Sequence, residues 1–582
     1  MPSAGEEAAL MRGSGAGPDR DPAPPVAWVR TDEAGRRALA EARSRTLWQT
    51  LVDAAALEPD REALVGADDA GHVRRLSYAE LLRRVRNFSA GLASIGVQRG
   101  DRVVLWMTNR LEWIISAFAA ERLGAAVVPI NTFLKPREVE YCISQSGARH
   151  LIMIDRFRKL DMPQMLGEIC PSFERATGPG SLFSLALPDL RNVVMLACAG
   201  TRHPAAYDWS ALEAVGTEGE GPWLAVSDRM TQATTPEDLM MIKFTSGSTG
   251  FPKGVMLQQG GFLAVGLLHG RRIGLRREDV YFSMMPFFHA GGSMYGQMSM
   301  LPIGGTLVFT EAFDIELAIR LIQAERPTVF ISVLGKEVVM EAHARGLTFP
   351  SVRIGHAHNE AAKIVLPNAT FSFMPFGLTE TYGPAALTGP ADPPEKQRTT
   401  SGRPLEGNEI RVVDPQTGRD VTPGEVGEAW IRGNVMLGYW NKPEETARAL
   451  DREGWVHSED LVTVDADGFV RFVGRLKLMA KVGGENVSLA EVEGVVTGHE
   501  AVTHCAAVSV PDARRNEAVR IYVVRRADRP VGAEELRAWL QSRLAHFKMP
   551  REILFVEDLP RLANGKLDRL TLSQWAKQET IA

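Results

Sequence analysis

The decisive stretch of this sequence is Thr245-Ser246-Gly247-Ser248-Thr249-Gly250-Phe251-Pro252-Lys253-Gly254. It contains four hydroxyl side chains, three glycines and one lysine within ten residues. Glycines let backbone N–H groups approach an anion closely, hydroxyl groups donate further hydrogen bonds, and Lys253 adds a positive charge. The composition therefore predicts a loop that binds polyphosphate.

Apolar runs flank this loop on both sides. Leu239 to Phe244 precede it and Val255 to Leu257 follow it, which predicts a loop between two strands. It is not a Walker A loop, because that loop requires Gly-Lys-Ser/Thr, whereas Pro252 precedes Lys253 here. A flexible Gly/Ser linker is the alternative interpretation, but linkers rarely lie between apolar strands.

Further motifs follow the loop in a fixed order. They are Phe376-Gly377-Leu378-Thr379-Glu380-Thr381, Gly424-Glu425-Val426-Gly427-Glu428, Gly438-Tyr439-Trp440, Gly454-Trp455-Val456-His457-Ser458-Glu459-Asp460, Gly474-Arg475-Leu476-Lys477, Gly483-Gly484-Glu485-Asn486-Val487-Ser488 and Asn564-Gly565-Lys566. From about Trp48 to Leu570 the chain resembles the adenylate-forming (AMP-binding) superfamily of acyl-CoA synthetases, peptide-synthetase adenylation domains and luciferases. The glycine-rich stretch beginning at Gly483 favours the acyl-CoA ligase branch.

Length and composition agree with an ordinary multidomain globular protein. The chain has 582 residues, 45% of them hydrophobic and 24% charged. Its formal net charge of -5 predicts no nucleic-acid surface. The four cysteines, which include no C-x-x-C pair, favour free thiols in a reducing cytoplasm over disulfides or zinc. No apolar run reaches the roughly 20 residues that span a bilayer.

The pattern along the chain predicts an α/β fold. Strand–helix alternation from Thr46 to Ile154 and again after the loop predicts parallel sheets with helices on both faces. The segment from Asp161 to Thr235 reads as a variable excursion. Hairpins from about Arg403 predict a small β-barrel-like subdomain, and a compact α+β unit follows Arg475. We therefore expect a disordered tail (1–30), a large domain (31–475) and a small mobile C-terminal domain (476–582), with a hinge near 475–478.

The resemblance implies a two-step reaction. A carboxylate attacks the α-phosphorus of ATP, pyrophosphate departs with Mg²⁺ balancing its charge, and a thiol then displaces AMP from the acyl-adenylate. It implies that the residues holding the nucleotide are Thr245, Ser246, Gly247, Ser248, Thr249, Gly250, Lys253, Gly355, Phe376, Gly377, Asp460 and Arg475. Phe376 would stack on adenine, and Asp460 would accept hydrogen bonds from the ribose hydroxyls.

The resemblance also assigns the reacting groups. Thr379 would contact the α-phosphate, Glu380 and Thr245 would hold Mg²⁺, and Lys566 would reach the α-phosphate and the attacking carboxylate. His289 matches a position near the acyl pocket. Gly483 and Gly484 would line the path of the CoA arm, where a close approach leaves no room for side chains. An ordinary structural role is the alternative for these residues. Glu380 would then be a surface glutamate, Phe376 a core phenylalanine and Asp460 a structural partner of Arg475. Lys566 would be a solvated turn lysine, and His289 a hydrogen-bonded core histidine.

Several residues depart from the family pattern near the nucleotide. Gly355-His356-Ala357-His358-Asn359 replaces Gly-Gly-Ala-Pro, Phe376 replaces the commoner tyrosine, Glu459 stands where glycine is usual, and Leu478 replaces the hinge Asp or Lys. Extra negative charge at Glu459 would penalise ATP, with about four charges, more than an acyl-adenylate with about one.

The sequence thus leaves several functions open. The first hypothesis is an AMP-forming ligase that converts a carboxylic acid, ATP and CoA to an acyl-CoA. The second is a thioesterification-only ligase that receives an acyl-adenylate from a partner enzyme, and the third loads a carrier protein. A non-catalytic nucleotide-binding regulator is a fourth. Small residues at Gly291-Gly292 and Gly383-Pro384-Ala385-Ala386 favour a bulky apolar acid. The oligomeric state is not readable from the sequence.

Overall fold

The structure is a computed structural model that describes residues 26–180, 182–217, 221–245, 252–331, 335–355, 359–369, 374–415, 417–475, 479–561, 567 and 569–578. Several predicted positions lie outside these residues: Ser246, Gly247, Ser248, Thr249 and Gly250 of the loop, His356 and His358, Leu478, and Lys566.

The centre of the large domain is a seven-stranded sheet. Its strands, in spatial order, are Ala206–Asp208, Asn192–Leu196, His150–Ile154, Arg102–Trp106, Ala126–Pro129, Leu239–Thr245 and Lys253–Gln258. The first six run parallel, and the last two form an antiparallel pair. The predicted strands on both sides of the phosphate loop are thereby confirmed.

A second, mostly parallel sheet has six strands. They are, in spatial order, Ile354–Gly355, Val329–Phe330, Val280–Ser283, Thr306–Thr310, Glu62–Ala67 and Val73–Ser77. Buried side chains of both sheets, such as Leu105, Val128 and Leu307, belong to one hydrophobic core with the helices between them. Burial on both faces explains why these strands read as continuous apolar runs in the sequence.

Antiparallel sheets complete the large domain. Five strands form the barrel-like sheet: Trp28–Val29, Glu409–Val413, Gly427–Arg432, Val456–Val464 and Val470–Arg475. Three more strands form the sheet beside it: Pro375–Leu378, Gly383–Leu387 and Arg403–Pro404. The predicted hairpin across Asp467-Gly468 is present, with Val464 paired to Val470.

The C-terminal unit is an α+β sandwich. Its sheet contains Glu485–Ser488, Met479–Val482, Asn516–Arg525 and Val502–Asp512, and Glu552–Phe555 pairs in parallel with Asn516–Arg525. Its helices are Leu489–Thr497, Ala533–Gln541 and Arg569–Gln578. The unit has its own hydrophobic core, around Val492, Ile521 and Leu540. The predicted fold class, an α/β large domain with a small α+β domain, is confirmed.

Helices cover the sheets of the large domain. They are Glu33–Ala42, Leu47–Leu57, Tyr78–Ser94, Leu111–Arg122, Pro136–Ser146, Met162–Ile169, Pro171–Arg175, Trp209–Val215, Pro222–Gln232, Gln259–Ile273, Ile315–Glu325, Gly335–Ala344, Glu360–Val365, Pro394–Thr399 and Pro443–Ala449. A capping box of Ser77 and Glu80 begins the helix Tyr78–Ser94. In the part of the chain that the structure describes, no helix combines the length and apolarity needed to cross a bilayer.

Two sequence predictions differ from the structure. The segment Asp161 to Thr235 is more than an excursion, because Asn192–Leu196 is paired on both sides within the seven-stranded sheet. The predicted tail 1–30 also extends too far, because Trp28–Val29 pairs with Glu409–Val413 and Ala27 is buried. A two-residue edge strand carries too little pattern to be detected beside a segment rich in Gly and Pro.

Candidate active site

The ends of the phosphate loop are fixed by the antiparallel strand pair. Thr245 lies opposite Lys253 in the register, and both residues are half-buried. Trp440 donates its backbone N–H to the carbonyl of Gly254 at 2.7 Å, and Met256 donates to the carbonyl of Gly438 at 3.0 Å. The predicted loop is therefore held against the Gly438-Tyr439-Trp440 motif, almost 200 residues later in the sequence.

Glu380 contacts Tyr439 at this point. The Tyr439 hydroxyl donates a hydrogen bond of 2.8 Å to Oε1 of Glu380. The ammonium group of Lys253 lies 4.1 Å from the centre of the Tyr439 ring, a cation–π contact. Burial and then the charge of Glu380 raise the pKa of Tyr439 above its ordinary value, so the phenol stays protonated and able to donate. The structure thus joins two predicted site residues through a tyrosine to which the sequence analysis gave no role.

Tight local geometry presents Glu380. Thr379–Thr381 form a short 3₁₀ turn, and the Thr381 hydroxyl donates to the carbonyl of Gly383 at 2.7 Å. A Cβ at Gly377 would lie 1.9 Å from the Gly383 carbonyl oxygen, so only glycine fits between these strands. The predicted nucleotide residue Gly377 has a packing requirement of its own.

The donor set at Glu380 fits one Mg²⁺ bound together with substrate. Oε1 accepts the Tyr439 hydrogen bond, which leaves Oε2 to face a hard cation. Among the described residues, no group of three or more His, Cys, Asp or Glu side chains could hold a metal ion by itself. Most ligands would therefore come from phosphate oxygens and water. Thr245, the other predicted ligand, has its hydroxyl 3.5 Å from the Lys253 carbonyl oxygen.

The predicted ribose residue Asp460 is buried, with 2% of its surface exposed. It lies opposite Arg475 in the register of neighbouring strands, which brings the two predicted residues together. Its neighbour Glu459 has a φ of 59°, a left-handed conformation that glycine adopts more readily. The backbone N–H of Glu459 donates to Oε1 of Glu428 at 2.8 Å, and the Glu459 charge contributes to the raised pKa of Tyr439.

Phe376 lies in a hydrophobic core. The residue is only 4% exposed and belongs to the hydrophobic cluster of the barrel-like sheet, with Ala386 and Ile410. Its burial suits a packing role, and stacking on adenine stays a prediction. Gly355 ends the strand Ile354–Gly355 and is buried, and a Cβ there would lie 3.2 Å from Leu366.

His289 lies at the other end of the site. The Gly291 backbone N–H donates to Nδ1 of His289 at 3.1 Å, which places the imidazole proton on Nε2. Burial, followed by the charges of Lys243 and Lys481, lowers the pKa of His289 to about 4. His289 is therefore a neutral hydrogen-bond donor at neutral pH. A π-helix, Gly291–Met298, begins two residues later, a feature often found at functional sites.

Lys243 is a site residue that the sequence analysis missed. Its ammonium group donates to the Ser293 hydroxyl at 2.6 Å and to the Phe288 carbonyl at 3.3 Å, and the residue is 4% exposed. Burial lowers its pKa to about 7, although Glu121 opposes this shift. A lysine inside an otherwise apolar strand was the available signal. Lys243 and Thr245 share one face of their strand, because side chains alternate along it.

Gly483 and Gly484 form the turn between Met479–Val482 and Glu485–Ser488. Their φ values of 61° and 90° match a two-residue turn that requires a left-handed backbone at both positions. A Cβ at either glycine would meet no atom within 4 Å. Beside the turn, Nδ2 of Asn131 from the large domain donates to Oε2 of Glu485 at 3.4 Å.

Comparisons with known proteins identify the family of this chain. The AMP-binding enzyme family matches residues 51–440, and the AMP-binding enzyme C-terminal domain matches residues 491–566. A 3-[(3aS,4S,7aS)-7a-methyl-1,5-dioxo-octahydro-1H-inden-4-yl]propanoyl:CoA ligase of Mycobacterium tuberculosis is 32% identical over 89% of this chain and 96% of its own length. The mitochondrial medium-chain acyl-CoA ligase ACSF2 of Danio rerio is 30% identical over 92% of this chain and 89% of its own length.

Solved structures show the same fold. An o-succinylbenzoate CoA synthetase from Bacillus subtilis has a TM-score of 0.71 at 22% identity, covering 91% of this chain and 99% of its own. The amide bond synthetase McbA from Marinactinospora thermotolerans has a TM-score of 0.73 at 24% identity, with the same coverage. The family match spans more than half of this chain and includes both predicted domains. The chain therefore belongs to the AMP-binding enzyme family, as an AMP-forming acid–thiol ligase of the acyl-CoA synthetase kind.

Proposed function

We propose that this enzyme converts a bulky apolar carboxylic acid to its CoA thioester, with ATP and Mg²⁺, through an acyl-adenylate. One observation carries the proposal: the Tyr439 hydroxyl donates to Oε1 of Glu380 at 2.8 Å, and the Lys253 ammonium group lies 4.1 Å from the centre of the same ring. The residue expected to hold Mg²⁺ and the lysine expected to bind phosphate therefore lie side by side at the end of the phosphate loop.

The residues divide the work of the first step. Lys253, the loop residues Ser246 to Gly250 and Lys566 would balance the charge of the triphosphate. Glu380, oriented by Tyr439, would hold Mg²⁺, which supplies further charge neutralisation at the phosphates. Thr379 would contact the α-phosphate, and Asp460 with Arg475 would hold the ribose. The imidazole of His289 is neutral and carries its proton on Nε2, from which it would donate a hydrogen bond near the acyl group.

Support for an apolar acid comes from relatives rather than from small residues. A Cβ at Gly292 would lie 2.2 Å from the Pro286 carbonyl oxygen, so this glycine permits packing and opens no free space. Two relatives act on acids with large hydrocarbon parts, as their names state. We also propose that the large domain ends at residue 475 and that the small domain spans 476–582, with the hinge at 475–478.

The test is a panel of acids with ATP, Mg²⁺ and CoA. We expect decanoic acid or cinnamic acid to give an acyl-CoA by mass spectrometry, with AMP and pyrophosphate in equal amounts, and malonic acid to give none. A holo-carrier protein offered in place of CoA should remain unmodified. ADP release, or preference for malonic acid, would contradict the proposal.

One observation favours the thioesterification-only alternative. Glu459 adds a second carboxylate close to Tyr439 and Glu380, where the triphosphate would lie. Repulsion there would slow the first step and spare the second, because the adenylate lacks the β- and γ-phosphates. On this alternative, Glu459→Gly raises pyrophosphate release from decanoic acid and ATP, while thioester formation from decanoyl-adenylate barely changes. Rapid pyrophosphate release by the wild-type enzyme would exclude the thioesterification-only alternative.

A further inference from the structure

A buried ion cluster joins the two domains. The ammonium group of Lys548 lies 2.7 Å from Oε1 of Glu138 and 2.7 Å from Oε1 of Glu491. The three side chains are 5%, 14% and 11% exposed, respectively. Lys548 and Glu491 belong to the C-terminal unit, and Glu138 belongs to the helix Pro136–Ser146 of the large domain. One ion pair is therefore internal to the small domain, and the other crosses the interface.

The two carboxylates keep this lysine charged. Burial alone would lower the pKa of Lys548, but Glu491 and Glu138 outweigh it and raise the pKa above its ordinary value. A buried charge that loses one partner is costly, whereas Lys548 retains Glu491 when the domains separate. The small domain can therefore move while the ammonium group of Lys548 stays paired with Glu491. Lys548 gains its second partner, Glu138, only when the small domain contacts the large domain.

The docked arrangement brings the glycine turn to the site. Asn131 contacts Glu485 beside Gly483 and Gly484, and the Lys481 charge acts on His289. The hairpin that carries Lys481 and Glu485 is the one that the proposed function places along the CoA path. The contact through Glu138 thus belongs to the arrangement suited to the second half-reaction.

We propose that Glu138 is a positioning residue that holds the small domain, through Lys548, in the arrangement that forms the thioester. This inference rests on the proposed function for its role in catalysis. The docking contact itself is independent of that function, so the two can be tested separately. Glu491 would orient Lys548 in both arrangements, because it moves with the lysine.

The first test separates the half-reactions in Glu138→Gln. Glutamine keeps an oxygen for the hydrogen bond that Glu138 accepts from the Lys135 N–H, so the helix start is preserved. We expect thioester formation from decanoyl-adenylate and CoA to fall about tenfold or more, with pyrophosphate release unchanged. Glu140→Gln, on the same helix, is the matched control and should change neither rate. In a Lys548→Met variant, adding Glu138→Gln should cause no further loss in the rate of thioester formation.

The second test needs no substrate. Cysteines at positions 131 and 485, with Cys198→Ser to remove the exposed native thiol, should be joined by a short bis-maleimide cross-linker. Glu138→Gln should slow that cross-link several-fold, whereas Glu140→Gln should not. An unchanged cross-linking rate, or equal losses in both half-reactions, would overturn the inference. If cross-linking slows but no acyl-adenylate yields a thioester, the docking role stands and the proposed function fails.

Discussion

At the scale of single residues, Tyr439 connects Glu380, the carboxylate proposed to hold Mg²⁺, to Lys253, the lysine proposed to bind phosphate. Tyr439→Phe keeps the ring beneath Lys253 and removes only the hydrogen bond to Glu380. A hydrogen bond to a charged group contributes about 1.5–3 kcal/mol, so we expect adenylation to slow by about tenfold to a hundredfold. ATP–pyrophosphate exchange at varied Mg²⁺ measures this, and the remote Tyr207→Phe is the control. An unchanged Mg²⁺ dependence would remove Tyr439 from the site.

Lys243 should make stability depend on pH. Its folded pKa of about 7 lies below the ordinary value of 10.5, and the charged or titratable groups facing it are Glu121 and His289. Between pH 7 and 10.5 the unfolded chain binds a proton that the folded chain does not. The Lys243 contribution to stability should therefore rise with pH in that window, by at most about 1.4 kcal/mol per unit, whereas Glu121, whose pKa is raised by burial, contributes in the opposite direction.

Lys243→Met should abolish this rise. Urea midpoints at pH 7 and pH 9 would be compared for wild type and variant, because the change in stability between the two pH values should be more favourable in the wild type than in the variant. The same pH slope in both proteins would show that Lys243 stays charged in the folded state.

Single residues also show how far sequence reasoning extends. The pairing of Thr245 with Lys253 was predictable, because both strands lie next to the loop in sequence. The bond between Tyr439 and Glu380, and the contact of Glu138 with Lys548, join residues 59 and 410 positions apart, and no local pattern encodes them. The core position of Phe376 was not predictable either, because phenylalanine occurs both in hydrophobic cores and on binding surfaces, and the sequence alone does not distinguish the two.

The glycine turn illustrates a prediction at the scale of one element. Gly483 has a positive φ, yet a Cβ there would meet no atom within 4 Å. Asparagine tolerates this backbone conformation, whereas a β-branched residue does not. Gly483→Asn should therefore fold and adenylate normally but form the thioester about tenfold more slowly, because its side chain enters the CoA path.

Gly483→Val is the comparison for this turn, and it should also lower the melting temperature through backbone strain. Separate assays of the two half-reactions and thermal denaturation would measure the effects. Full thioester activity of Gly483→Asn would show that this glycine serves the turn alone.

At the scale of elements, whether a segment is a helix or a strand was more predictable than which strands pair in one sheet. The strand Arg102–Trp106 and the helix Leu111–Arg122 were readable from apolar runs and spacing. Asn192–Leu196 was missed, because Pro- and Gly-rich segments around it resemble a loop while its pairing partners lie elsewhere in the chain.

The proposed function requires the whole molecule to work in two arrangements, and Lys566 tests this. Lys566→Ala should strongly slow adenylation and largely spare CoA transfer to a supplied acyl-adenylate, because on this proposal the lysine balances charge only while pyrophosphate departs. Pyrophosphate release and thioester formation would be measured separately. Equal losses in the rates of both half-reactions would contradict the role assigned to Lys566.

Truncation tests the architecture of the whole chain. Removing residues 2–30 should lower the melting temperature by several degrees relative to removing residues 2–25. The longer deletion takes away Ala27, which is buried, and Trp28, which packs against Trp455 with ring centres 5.7 Å apart. Identical melting temperatures for the two truncations would contradict the pairing of this edge strand.

The same edge strand has a consequence for synthesis on the ribosome. Trp28 emerges 381 residues before its partner Glu409. At about 5–20 residues per second, the strand waits roughly 20 to 80 seconds for its place in the sheet. The nascent chain therefore carries a tryptophan without its sheet partner until the strands of the barrel-like sheet have been synthesised.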